Sequence, residues 1–226
     1  MSDGPPSIWE WIGRNWDTGR ADSIRNLLTD HLTMSLVPIV LSLVLALPLG
    51  LACARWRWLY QPTSGLMNVI YALPSLPVFM LLISVTGLSQ TTVIIPLTFY
   101  GMAVLIPAVV DGLRSVPDHV RQSAVAMGFT PLRRLLRVEL PIAVPVVLAG
   151  LRVVAVSSIS LVSVGALIGQ GGLGGLFTRA YQNPFMPPVI VGIVLIVALA
   201  LVADALIVLA QRLLTPWVRA RKGMAS

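Results

Sequence analysis

The feature that most constrains this chain is the recurrence of apolar stretches long enough to cross a bilayer. Five stand out, about His31 to Ala54, Ser64 to Gly87, Thr91 to Leu113, Ile142 to Ile168 and Val189 to Ala210, and a spanning helix needs about 20 mostly apolar residues. In 226 residues of which 56% are hydrophobic and 11% charged, one water-soluble core cannot hide so much apolar surface, so lipid must serve as solvent. The expected fold is an all-α integral membrane protein with about five transmembrane helices, or six if the long fourth stretch hides a short extra span. The expected organisation is a polar, interfacial N-terminal segment (1–29), a membrane domain (30–215) and a basic tail (216–226), with no second soluble domain.

Charge gives the expected orientation. Arg55, Arg57, Arg114, Arg121, Arg133, Arg134 and Arg137 fall on one side of the apolar stretches together with Arg212, Arg219, Arg221 and Lys222, whereas the other side carries only Arg14, Arg20, Arg25 and Arg179. The basic side is expected to be cytoplasmic, which puts the N-terminus outside and the C-terminus inside. The net charge of +7 resides in these flanking clusters, so nucleic acid is not an expected partner. The first thirty residues carry acids and three tryptophans (Trp9, Trp11, Trp16) instead of the basic start and apolar core of a cleavable signal. They suit either an interfacial amphipathic helix or a loosely ordered tail. Cys53 is the single cysteine, expected to be a small packed thiol, and no internal disulfide can form.

Inside the second stretch Pro74 and Pro77 bracket Ser75 and Leu76, and each proline removes a backbone donor. This helix should be kinked or broken. Freed carbonyls in hydrocarbon are tolerated where they are buried or line a wet cavity, so Tyr71, Pro74, Ser75 and Pro77 are candidate pathway-lining residues, with a purely structural kink as the alternative. Pro38, Pro48, Pro96, Pro107 and Pro145 suggest further interruptions. Charges within spans are expensive; Arg152 and Asp204 are the deepest, with Asp111 nearer a helix end. They could form a proton or ion relay, but a lone aspartate without further acids serves better as the partner of Arg152 in a packing contact.

The loop from Arg114 to Pro141 reads as two short helices. Ser115 and Pro117 offer a start, Val120, Ala124 and Met127 share a face, and Gly128 is placed to end the first helix. Thr130-Pro131 then supplies an N-cap and a proline at the first helical position, with Leu132, Leu135 and Leu136 as an apolar stripe. Small residues at Ser123, Ala124 and Gly128 would let another protein approach closely.

Within this loop Gln122-Ser123-Ala124-Val125-Ala126-Met127-Gly128 is followed, after nine residues, by Val138-Glu139-Leu140-Pro141. The spacing resembles the loop of permease subunits of binding-protein-dependent ABC importers, which reads Glu-Ala-Ala, three residues, Gly, nine residues, Ile-x-Leu-Pro. Ala124, Gly128, Leu140 and Pro141 match; Gln122, Ser123 and Val138 depart from Glu, Ala and Ile. The resemblance extends from about Asp30 to Thr215. It implies a type I ABC importer transmembrane fold in a bacterial inner membrane, with the loop docking a motor. It also implies two ATPase subunits that bind ATP and Mg, a second permease subunit, identical or paralogous, and an external substrate-binding protein. Leu73-Pro-Ser-Leu76, Gly169-Gln-Gly-Gly-Leu-Gly174 and the ending Ala203 to Pro216 resemble, more narrowly, the osmoprotectant permeases for glycine betaine, choline or carnitine. Methionine-type and other amino-acid permeases are the alternative, and a secondary transporter a more distant one.

Gly169, Gly171, Gly172 and Gly174 happen to fit a dinucleotide-binding pattern, but they follow a long apolar helix, and no acid lies about 20 residues on. In the family such a segment would sit at the external gate. The sequence has no Gly-x-x-x-x-Gly-Lys-Ser/Thr phosphate loop, so the ATPase must be another polypeptide. No catalytic constellation, metal site or cofactor is expected in this chain: His31 and His119 lie at different ends of the apolar map, and no Cys/His or carboxylate cluster is visible.

Overall fold

The computed structural model describes residues 7–182 and 185–216; most of the expected tail, with Arg219, Arg221 and Lys222, lies outside them. The described residues are helical, without strands. In chain order the helices are α1 (Ile8–Asn15), α2 (Ile24–Arg55), α3 (Arg57–Ala72), α4 (Ser75–Thr86), α5 (Thr91–Arg114), α6 (Asp118–Ala126), α7 (Pro131–Arg134), α8 (Leu140–Val162), α9 (Gly175–Gln182) and α10 (Pro187–Leu214). A π-helical segment, Leu135–Glu139, joins α7 to α8, and 3-10 turns at Ser163–Ile168 and Gly172–Gly174 join α8 to α9.

By length and composition the described residues hold four spans, or five when the bent pair α3 and α4 counts as one. The fourth stretch lies on one continuous helical run, Pro131–Ile168, which counts as a single candidate span among the described residues. The bend of 96° between α3 and α4 has a local cause. Pro74 disfavours helical backbone at Leu73 and then acts as N-cap of α4 with extended backbone, φ −62° and ψ 131°. Pro77 sits in the first turn of α4, where a missing N–H leaves nothing unpaired. One proline ends a helix and the other begins one.

The other prolines do not interrupt their helices as expected: α2 runs through Pro38 and Pro48, α5 through Pro96 and Pro107, and α8 through Pro145. Membrane helices tolerate this because neighbouring groups can take over the freed carbonyls. The N-terminal segment contains a formed helix. Ser7 Oγ accepts from the Glu10 amide (3.3 Å) while the Glu10 carboxylate accepts from the Ser7 amide (3.2 Å), a reciprocal capping box. Trp9 points away, 82% exposed, while Ile8, Trp11 and Ile12 pack on Ile24, Leu173, Leu176 and Val191.

The chain divides into two compact units: Met1–Pro38, Leu73–Leu97 and Ser157–Leu201 form one, and Ile39–Ala72, Thr98–Val156 and Val202–Ser226 the other. In the first unit the 3-10 turns fold back so closely that a Cβ on Gly165 would lie 2.2 Å from the Gln170 carbonyl oxygen, and one on Gly174 2.4 Å from that of Ser163. In the second, α5 is flanked by α2 and α8 across glycine contacts. A Cβ on Gly50 would lie 2.6 Å from Val109 Cβ, and one on Gly150 2.7 Å from Ala108 Cβ; small residues let helix backbones approach closely in membranes. Ala46, Cys53, Leu105, Ile106 and Val110 form the fully buried centre there, so Cys53 is a packed thiol as expected.

Candidate functional site

The loop between α5 and α8 is a braced pair of helices. Gly128, with φ +77°, lets the chain leave α6 in a Schellman turn: the Phe129 amide donates to the Ala124 carbonyl (3.0 Å) and the Gly128 amide to that of Val125 (2.9 Å). Thr130 Oγ1 then accepts from the Arg133 amide (3.4 Å), and Pro131 opens α7. α6 starts directly after Pro117, as expected, but Ser115 does not cap it. Pro117 is the N-cap without a side-chain bond, and Ser115 Oγ donates backward to the Gly112 carbonyl (2.7 Å).

Glu139 ties the loop together. Its Oε1 accepts from Arg134 Nε at 2.7 Å and lies 3.9 Å from Arg121 Nε, with the Glu139 side chain only 13% exposed. Arg121 Nη2 also donates to the Leu113 carbonyl at the end of α5 (2.6 Å). Arg121, Arg134 and Glu139 thus fix α6 and α7 against the ends of α5 and α8. Sequence reasoning missed this brace; the opposite charges five residues apart were its only signal.

The surface that the loop presents also differs in part. Gln122, Ser123 and Gly128 are exposed, but Ala124 is buried, because helical periodicity turns it inward, away from Gln122 and Ser123. The exposed apolar side chains are Val125 (54%) and Met127 (68%), with Leu132 and Leu136 on the second part of the loop. Met127, expected to share the face of Ala124, is at the C-cap and points outward. Val138, Leu140 and Pro141 are half-buried, and Leu140 packs on Val109, Leu113, Ala143 and Val147.

Of the candidate pathway residues, Tyr71, Pro74 and Pro77 are exposed and Ser75 half-buried. Tyr71 packs edge-to-face on Tyr100, with centroids 5.9 Å apart. Among the gate glycines, Gly169 is exposed with φ +79°, while Gly171, Gly172 and Gly174 are buried. Gly172 lies against His31, whose backbone N would be 2.7 Å from an added Cβ. His31 is fully buried and its Nε2 donates to the Ile159 carbonyl (2.9 Å), pinning α2 to α8 beside the turn.

Arg152 and Asp204 form a two-pronged pair, Nε to Oδ1 at 2.6 Å and Nη2 to Oδ2 at 2.9 Å. Asp111 is exposed near the end of α5. The paired side chains keep 41% and 30% exposure within the single chain, so the face that bears them needs protein or water against it. Asp204→Leu should strand Arg152 and lower the amount of folded protein in the membrane several-fold, whereas Arg152→Met with Asp204→Leu should restore it and keep transport within about twofold, since a matched apolar pair can replace an ion pair. Membrane-fraction yield and uptake check this. Loss of transport by a well-inserted double variant would instead make the pair part of a relay.

Among the described residues no cluster of His, Cys, Asp or Glu could hold a metal ion. The family described as "Binding-protein-dependent transport system inner membrane component" matches residues 46–218. The choline transport system permease protein OpuBB of Bacillus subtilis (strain 168) is 32% identical over 188 residues, covering 83% of this chain and 86% of its own. The glycine betaine/carnitine/choline transport system permease protein OpuCD of the same organism is 32% identical over 194 residues, covering 85% and 84%. Among solved structures, an inward-facing MetNI methionine ABC transporter chain superposes with a TM-score of 0.67 at 20% identity, over 81% of this chain and 94% of that one. That likeness establishes the type I importer transmembrane fold.

Proposed function

Because the chain belongs to the binding-protein-dependent transport system inner membrane components, we propose that it is the permease subunit of an ATP-driven importer for a compatible solute such as choline, glycine betaine or carnitine. The observation that carries this reading is the 32% identity, over more than four-fifths of the chain, to permeases named for those solutes. The likeness to the methionine transporter is one of fold and gives methionine no preference. Quaternary ammonium groups are bound by aromatic cages, and the described helices bring together one such ring pair, Tyr71 with Tyr100. In this reading selectivity belongs to an external binding protein.

In this reading two ATPase subunits, which bind ATP and Mg, dock on the loop through Gln122, Ser123, Val125, Met127 and the Gly128 turn. Ala124 supports that surface from beneath, and Val138, Leu140 and Pro141 join it to α8. Tyr71, Pro74, Ser75 and Pro77 line the pathway, and the Gly169 to Gly174 turn shapes the external gate. A second permease subunit completes the pathway in a bacterial inner membrane. The N-terminus is outside and the arginine-rich loop cytoplasmic, as the positive-inside rule requires. The chain itself hydrolyses nothing.

The test is uptake by vesicles reconstituted with the chain, its copurifying ATPase and binding protein. Labelled choline or glycine betaine should enter only with ATP, and excess methionine should not compete. Uptake without ATP would support a secondary transporter, and competition by methionine would redirect the substrate.

A further inference from the structure

We propose that the headgroup of an anionic phospholipid occupies a pocket at the arginine-rich membrane boundary of this chain. The inference rests on the membrane reading of the fold and not on the choice of substrate. The pocket is a cavity of about 840 Å³, entirely within the second unit, into which Arg55, Arg57, Arg114, Arg121 and Arg134 converge with one carboxylate, Glu139. That carboxylate is already engaged by Arg134 at 2.7 Å and lies within 3.9 Å of Arg121. Arg114 lies over the Tyr60 ring, its Cζ 4.9 Å from the centroid, a cation–π contact that brings no anion to the guanidinium. Among the described residues Arg55 and Arg57 have no carboxylate partner. With Arg121 also paired to Asp118 at 3.2 Å, the charge left unbalanced around the hollow is that of Arg55, Arg57 and Arg114; an anion there relieves their mutual repulsion, and guanidinium groups match phosphate oxygens in forked geometry.

Two observations favour a lipid over a soluble anion. Leu51, Leu113, Leu132 and Leu135 line the same cavity; a free phosphate gains nothing from them, whereas a glycerol backbone and the start of its acyl chains do. Arg55 and Arg114 are the last residues of the long helices α2 and α5, which in the membrane reading of the fold puts these two at headgroup depth. Trp56 and Trp58 beside them are 52% and 74% exposed, as indoles at a membrane interface are. Basic pockets at helix ends suit anionic headgroups, and in the proposed orientation the lipid comes from the inner leaflet.

The full chain, purified from membranes with whatever subunits accompany it, is incubated with equimolar phosphatidylglycerol and phosphatidylcholine of matched acyl chains, and retained lipid is counted by native mass spectrometry. Phosphatidylglycerol should be retained at least tenfold over phosphatidylcholine. Arg55→Gln with Arg57→Gln should lose that preference, while the charge-matched Arg137→Gln with Arg212→Gln, outside the pocket, should keep it. Equal retention of the two lipids by the unmodified protein, or an unchanged preference in the Arg55/Arg57 variant, would overturn the site. Displacement of phosphatidylglycerol by inorganic phosphate at comparable concentration would overturn the lipid as its occupant.

Discussion

Gly128→Val should reduce both uptake and substrate-stimulated ATP hydrolysis at least tenfold while the protein still reaches the membrane. The cause lies in the backbone. Gly128 adopts φ +77°, and a Cβ there would meet nothing within 4 Å, so crowding inside the chain plays no part. A left-handed backbone costs an L-residue about 1–2 kcal/mol, and a β-branched side chain resists it further. Valine therefore opens the turn, releasing the Phe129–Ala124 and Gly128–Val125 bonds, and α7 loses its set relative to α6. Asparagine tolerates positive φ, so Gly128→Asn should retain most of the uptake. If Gly128→Val couples ATP hydrolysis to uptake at the unmodified rate, the proposed docking surface is wrong.

Gly171→Ala should be still more damaging, for the opposite reason. Gly171 has φ −127° and ψ 8°, which any residue can adopt, but its added Cβ would lie 2.1 Å from Ala166 N and 2.4 Å from Ala166 Cα. Those are backbone atoms that no rotamer change can move, so the two 3-10 turns must separate, and overpacking of this kind costs about 1–3 kcal/mol or more. Folded protein in the membrane should fall several-fold, and what remains should lose its thermal transition at a lower temperature than the unmodified chain. Gly169→Ala is the matched control: φ is +79° but nothing lies within 4 Å, so only about 1 kcal/mol of backbone strain is expected. Equal yields of the two variants would show that the turn yields easily, and would remove the case for close packing there.

Helix positions were the most legible part of this chain, because lipid demands long apolar runs and few other signals compete with them. The stretch Thr91 to Leu113 became Thr91–Arg114, but His31 to Ala54 became Ile24–Arg55. Arg25, Asn26, Thr29 and Asp30 dilute the apolar pattern but carry no stop signal, so α2 starts well before that pattern does. Local backbone chemistry was equally legible at Gly128 and Thr130, where the preference lies within four residues of sequence. Contacts between distant residues were not. Arg152 could be expected to find Asp204, 52 residues away, but Arg121, Arg134 and Glu139 looked like ordinary surface charges. The inward turn of Ala124 was missed because a small residue fits an exposed surface and a close packing contact equally well. Prolines inside the long apolar helices misled, because one missing backbone bond does not end a membrane helix; they informed at helix starts, Pro117 and Pro131, and at Pro74, where the preceding residue also had to leave the helix.

The close seating of α5 against its neighbours has a mechanical consequence. With Gly50 resting on Val109 and Gly150 on Ala108 at separations no side chain could enter, axial slippage by even one residue would drive larger side chains into those notches. The three helices within this unit therefore act as a strut with no internal sliding joint. Arg121 fastens the short helix α6 to the end of that strut through the Leu113 carbonyl. In the proposed reading of the loop as a motor docking site, a thrust there passes into these helices with little room for them to slip past one another.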